Sequence, residues 1–264
     1  MITSYSNKLI KEIRKLNKKK YRNKKKLFFI EGIRIIEDSF KSNCDIQYII
    51  YSNKLYNTSR GRELINKIKE SNIECYEVEN NLIKEISDTE NPQGIIAVLK
   101  MKENSLQELK EENNFIVFLD RIQDPGNMGT IIRSADALGV DGIIINKGCV
   151  DIYNPKVLRA TMGSVFNIPI IYSEDGTKTL LEFKNKGTNI FVTSLDSAEY
   201  CYDTDFEKDN ILVIGNEGNG VSQEILDLSD KNIKIPIKGK AESLNAAIAS
   251  SIIMYEGLRQ RRNI

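Results

Sequence analysis

Asp124-Pro125-Gly126-Asn127-Met128-Gly129-Thr130-Ile131-Ile132-Arg133 is the stretch on which the reading of this chain turns. It follows the apolar run Phe115–Leu119 and starts with a Pro-Gly turn, a usual way for a chain to leave a strand. From there Met128, Ile131, Ile132, Ala135 and Leu138 fall at helical spacing, so a helix with one buried face is expected. Arg133 lies off that stripe and can point toward a cleft. Strand, glycine-bearing loop and helix in this order often hold an anion on the helix N-terminus, although an ordinary strand-to-helix turn has the same outline.

Two later segments share the outline. Ile211-Leu212-Val213-Ile214 runs into Gly215-Asn216-Glu217-Gly218-Asn219-Gly220, whose spacing is not that of a dinucleotide site and which lacks a P-loop lysine. Glycines here let the backbone meet a ligand closely or take positive φ. Glu217 reads either as a turn anchor or as a group that orients Arg133. Ile235-Pro236-Ile237 ends a further apolar run, and Glu242-Ser243-Leu244-Asn245 opens the last helix, with Ser243 the expected N-cap.

Strand candidates are Phe115–Leu119, Gly142–Ile145, Asn167–Ile171, Ile190–Thr193, Ile211–Ile214 and Ile233–Ile235. Helix candidates at 128–138, 155–164, 176–185, 221–228 and 243–259 alternate with them. Such alternation argues for a mainly parallel sheet covered on both faces. In the last helix Leu244, Ile248, Ser251, Ile252, Tyr255 and Leu258 form an apolar stripe, read as core or dimer contact, and Arg259, Arg261 and Arg262 complement the dipole at its end. Upstream, Leu27–Ile30, Ile46–Tyr51, Tyr76–Val78 and Ile95–Leu99 read as strands, with helices after Gly32 and over 61–69. The expected organisation is an α/β unit at 1–100, a polar linker at 101–114 and a second α/β domain at 115–264.

The longest apolar runs of the 264-residue chain are far shorter than a membrane span. The chain opens with polar and basic residues rather than the apolar core of a signal peptide, so the cytoplasm is the expected location. Four scattered cysteines and no histidine suggest neither a metal site nor a disulfide framework, and leave no imidazole as a general base. Residues 1–26 hold eleven of the 38 Lys/Arg and one of the 37 Asp/Glu, leaving 27 basic against 36 acidic residues, a net −9, in the rest. A basic arm on an acidic body implies a localised anionic partner. Ile10, Ile13, Leu16 and Leu27 suggest that the arm is a short amphipathic helix followed by a loop.

Asn127–Arg133, Ile214–Gly220 and Ile235–Ile237 with Ser243-Leu244-Asn245 resemble the three motifs of the SpoU (TrmH) family of RNA ribose 2′-O-methyltransferases. Asn154–Ser164 resembles the family segment between the first two motifs. Phe28-Phe29-Ile30-Glu31-Gly32 and Asn91-Pro92-Gln93-Gly94 resemble its N-terminal RNA-binding domain. The resemblance implies a homodimer with a C-terminal α/β trefoil-knot (SPOUT) domain and a small ribosomal-protein-like α/β domain. It implies S-adenosylmethionine as cofactor and no metal.

By the same resemblance Arg133 contacts the target ribose or its phosphate, and Asn127, Glu217, Ser243 and Asn245 lie by the reacting groups. Whether Arg133 itself takes the proton stays open, since arginine is a poor base. Thr193, Leu195, Gly215, Ile235, Ile237 and Leu244 would hold the cofactor. Lys18, Lys19, Lys20, Arg22, Lys24, Lys25, Lys26, Glu31 and Arg159 would bind RNA. Where the family often has Ser-Leu-Asn-Val-Ser, this chain has Ala247 in place of the second serine. The expected activity is 2′-O-methylation of structured RNA, 23S rRNA before tRNA. The rival readings are a knotted RNA-binding protein of ribosome assembly without catalysis, and a base-methylating knotted enzyme.

Overall fold

A computed structural model describes residues 1–87, 89–110 and 112–261, so Arg262 lies outside the described residues. The chain divides into two compact units: residues 1–102 with 153–166, and residues 103–152 with 167–264.

The first unit opens with α1 (Lys8–Leu16) and α2 (Lys19–Lys25), then β1 (Leu27–Glu31), α3 (Ile33–Lys41), β2 (Ile46–Tyr51), α4 (Ser59–Glu70), β3 (Glu74–Glu77), α5 (Asn80–Ile86) and β4 (Ile95–Lys100). Its sheet runs β1-β4-β2-β3, antiparallel except between β2 and β3. Alternation along the strands sends Phe29, Tyr48, Ile50, Ile96 and Val98 to one face, where Ile10, Ile13 and Leu16 of α1 and Leu82, Ile83 and Ile86 of α5 cover them. The basic arm is therefore part of the core rather than an appended tail, and the loop expected after α1 is the helix α2.

The second unit contains β5 (Phe115–Leu119), α6 (Pro125–Ala137), β6 (Gly142–Asn146), β7 (Ile170–Ser173), α8 (Gly176–Lys184), β8 (Asn189–Thr193), β9 (Glu199–Tyr200), β10 (Asn210–Ile214), α9 (Gln223–Leu226), β11 (Lys231–Lys234) and α10 (Ala246–Gln260); α7 (Pro155–Thr161), lying between β6 and β7 in sequence, belongs to the first unit. Its sheet runs β7-β6-β5-β10-β8-β11-β9, and every pairing is parallel. The central strands Phe115-Ile116-Val117-Phe118-Leu119 and Asn210-Ile211-Leu212-Val213-Ile214 are buried throughout, as strands covered on both faces must be. Residues from Glu103 onward, expected as linker, pack here: Leu109 lies against Gly142, and Lys110 pairs with Asp141 at 2.5 Å.

Two helix readings are corrected, and one short strand was not expected. The two-residue strand β9 carries too few residues to show a period. The helix expected over 221–228 is one turn, α9. The last helix starts at Ala246, not at 243, and the side it buries is Ala247, Ser250, Ile253, Met254 and Gly257. Of the two readings of the apolar stripe, core is the one that fails: Ile248, Ile252 and Tyr255 are 52%, 40% and 50% exposed. Small residues on the buried side let α10 sit close on the sheet; a Cβ at Gly257 would come within 2.5 Å of the Phe115 ring.

Candidate active site

β5 and β10 are parallel neighbours with Leu119 beside Ile214, so the residues just past them must lie side by side at the carboxyl edge of the sheet. Ligands bind to open α/β sheets at such an edge. Beyond β10 the chain closes a tight turn in which Asn216 and Gly220 exchange backbone hydrogen bonds of 3.0 and 2.9 Å, and Asn216 Oδ1 accepts from the N–H groups of Gly218 and Asn219. Gly215 is required by that closure, because a Cβ there would stand 2.3 Å from the carbonyl carbon of Gly220.

The turn presents Glu217 to the loop before α6. Its carboxylate accepts from the backbone N–H of Gln123 (3.2 Å) and Asp124 (3.1 Å) and from Asn127 Nδ2 (3.0 Å). Asn127 Oδ1 accepts from Asn245 Nδ2 at 2.9 Å, and Asn245 Oδ1 accepts from the N–H groups of Ala247 and Ile248. The orientation of both amides is fixed from the ends: a carboxylate only accepts and a helix N-terminus only donates, so each Asn must donate toward Glu217 and accept on the other side. Burial works to raise the Glu217 pKa, but the bonds from Asn127, from its own backbone, and from Asp124 and Gln123 outweigh it and hold the carboxyl below its usual range.

Beside this line is a cavity of about 410 Å³, within the range of cofactor sites. Its lining comes from the ends of β8 and β10, from β11 and the segment after it, and from the start of α10. Residues 114–255 match the SpoU rRNA Methylase family, and residues 7–97 match the MRM3-like substrate binding domain.

The chain belongs to the SpoU rRNA Methylase family.

It is 34% identical to the 23S rRNA (guanosine(2553)-2′-O)-methyltransferase RlmP of Bacillus subtilis over 96% of this chain and 97% of that one. It is 32% identical to the 23S rRNA (uridine(2479)-2′-O)-methyltransferase of Streptomyces viridochromogenes over 89% and 83%. The AdoMet-bound rRNA methyltransferase of Sinorhizobium meliloti superposes with a TM-score of 0.86, at 31% identity over 98% of this chain and 97% of that one. The second unit accordingly has the trefoil-knot fold of the SPOUT methyltransferases.

Thr193, Leu195, Gly215, Ile235, Ile237 and Leu244, named from the SpoU resemblance, all line the one cavity, together with Glu217 and Ser243. Asn127, Glu217 and Asn245 form the hydrogen-bonded line. Ser243 is not the N-cap of α10; Asn245 is, since the helix begins one residue after it. Arg133 is exposed and outside the line. Six residues along a helix displace it by about 9 Å and 240° from Asn127.

The residues of the first unit divide. Lys18, Lys19, Lys20, Lys24, Lys25 and Lys26 are exposed. Arg22 is 3% exposed, and its Nη1 donates to the carbonyls of Leu16 (2.7 Å) and Asn17 (2.9 Å), so it closes the end of α1 instead of joining the basic surface. Glu31 accepts from the hydroxyls of Ser87 and Thr89, and half-buried Arg159 lines a small cleft with it.

Sequence reasoning missed Asp120, Arg121 and Asn216. A polar pair directly after an all-apolar strand is the signal that marks the first two.

Proposed function

We propose that this enzyme, an S-adenosylmethionine-dependent RNA 2′-O-ribose methyltransferase, acts on 23S ribosomal RNA in the cytoplasm as a homodimer. The observation that carries the reading is the line Glu217–Asn127–Asn245, built from three distant motifs beside a cavity of cofactor size.

The lining fits the cofactor: apolar Leu195 and Leu244 stay 62% and 36% exposed, while Gly215 brings bare backbone to the wall. Thr193, Leu195, Gly215, Ile235, Ile237 and Leu244 would hold it. When bound, S-adenosylmethionine supplies a methyl group on a positively charged sulfur, already activated for transfer. The protein's part is then positioning. Each amide in the line uses one N–H, so Asn127 and Asn245 each carry a second that can donate to a ribose oxygen. Glu217, ionised at neutral pH, keeps those donors aimed. Arg133, exposed on α6, offers a planar fork suited to an RNA phosphate.

The apolar residues Ile248, Ile252 and Tyr255 on one exposed side of α10 support self-association through that helix. The exposed lysines of α2 support RNA capture by the first unit.

Incubation with methyl-labelled cofactor and unmodified 23S rRNA, followed by nuclease digestion and mass spectrometry, tests the reading. A 2′-O-methylnucleoside is expected. Label confined to tRNA would move the substrate, label on a base would assign the other knotted chemistry, and no label on any RNA would sink the reading.

A further inference from the structure

Asp120 directly follows β5 and is fully buried. A carboxylate withdrawn from water must be satisfied by its neighbours, and what satisfies this one reveals its use. Oδ1 accepts from Asn146 Nδ2 at 2.9 Å, at the end of β6. Oδ2 accepts from the backbone N–H of Ser222 at 3.0 Å and from the Arg121 guanidinium at 3.2 Å.

Arg121 stands at φ 59°, in the left-handed region that residues with a side chain rarely adopt. That turn aims its carbonyl at Asn216 Nδ2 (2.9 Å), and the guanidinium reaches the carbonyl of Gly220 (3.3 Å). The loop beyond β10 is thus tied at both ends by two consecutive residues. Asn216 is held at its start, and Gly220 and Ser222 at its close. Between the ties sits Glu217, and the loop forms one wall of the cavity, which neither Asp120 nor Arg121 lines.

We propose that Asp120 and Arg121 are positioning residues that hold the Asn216–Gly220 loop in the conformation that receives the cofactor and presents Glu217 to Asn127. The proposal rests on reading the cavity as the cofactor site. The strained backbone at Arg121 has a counterpart in function: it is the geometry that places the tie.

The test compares wild type, Asp120→Asn, the swap Asp120→Asn/Asn146→Asp, and Arg121→Gly. Each is assayed by calorimetric binding of S-adenosylmethionine and by hydrogen exchange of the loop amides. An amide at 120 can accept from Ser222 only by turning its nitrogen on the Asn146 nitrogen, donor against donor. The swap restores an acceptor there.

Asp120→Asn is expected to weaken cofactor binding roughly tenfold or more, the worth of a charge-assisted bond, and to speed exchange at Gly218, Asn219 and Ser222 while β5 and β10 stay protected. The swap should recover both to within about threefold of wild type, as one restored hydrogen bond implies. Arg121→Gly should relieve the backbone but strip the buried Asp120 carboxylate of its guanidinium, so Tm should fall somewhat while the loop loosens and binding weakens.

Uniformly faster exchange in Asp120→Asn with no recovery in the swap would make Asp120 a general core group and overturn the proposal. So would an Arg121→Gly protein with wild-type loop exchange and affinity, the deciding variant if Asp120→Asn does not fold. A wild type that binds no S-adenosylmethionine would instead sink the functional reading, and the exchange measurements would still judge the tie.

Discussion

Asn245 Nδ2 donates to Asn127 Oδ1 at 2.9 Å, joining residues 118 apart in the chain. Asn245 also caps α10, so one side chain starts a helix and sets the polarity of the line that ends at Glu217. The two roles separate in Asn245→Asp. An aspartate caps as well as asparagine, so Tm should stay near wild type. It cannot donate to Asn127, so kcat/KM for RNA methylation should fall at least roughly tenfold. Thermal melting beside single-turnover methylation checks this; wild-type turnover would remove the line from the chemistry.

Glu217 gives a pH signature of definite sign. Its folded-state pKa is lowered, so the stability it adds is fully present above the unfolded value of about 4.3 and disappears as pH falls through the lower folded value. Glu217→Gln does not titrate. The Tm gap between wild type and this variant should be widest above about pH 5 and close toward pH 3. Calorimetry over that range reads it out, and a gap constant with pH contradicts it. Because Glu217 is already ionised near pH 7, the variant's rate profile should keep the wild-type shape there, which a general base at this position would alter.

The two all-buried strands β5 and β10 were legible because a strand covered on both faces is apolar along almost its whole length, Asn210 at the start of β10 being the exception. The buried face of α6 was legible too, since Met128, Ile131, Ile132 and Ala135 keep one period. α10 was not: its apolar stripe is the exposed side, and its core side includes Ala247, Ser250 and Gly257, whose small size matters to packing but barely registers in hydropathy. The line through Asn127 and Asn245 could not be read from spacing, because the register of β5 against β10 and the course of the knot bring its members together. Nor could Arg22, whose burial depends on carbonyls exposed at the end of α1 and not on its own lysine-rich surroundings.

The basic arm separates into charge and scaffold. Alanine at Lys19, Lys20, Lys24 and Lys25, all exposed, should leave Tm near wild type. It should weaken RNA binding and flatten its dependence on log salt by up to about 0.7–0.9 for each phosphate left unneutralised. Arg22→Ala should do the reverse, costing about 1–3 kcal/mol of stability as two carbonyls are deprived of their donor. Truncation of residues 1–26 cannot make this distinction, because it strips Ile10, Ile13 and Leu16 from the core. An unchanged salt slope in the lysine variant would return those side chains to plain solvated surface.

The two sides of α10 call for opposite outcomes from two substitutions. Gly257 faces the Phe115 ring with no room for a methyl group, so Gly257→Ala should lose about 1–3 kcal/mol to overpacking even though alanine favours the helix. Ile252 is 40% exposed between Ile248 and Tyr255. In a monomer Ile252→Glu would be close to neutral, because the carboxylate meets water. If the stripe is the interface between two copies, the same change buries two unpaired charges across a symmetric surface, and association should fail at micromolar protein. Sedimentation of wild type and Ile252→Glu at matched concentration decides. A wild type that sediments as a monomer, or a dimer indifferent to Ile252→Glu, would leave α10 outside the interface.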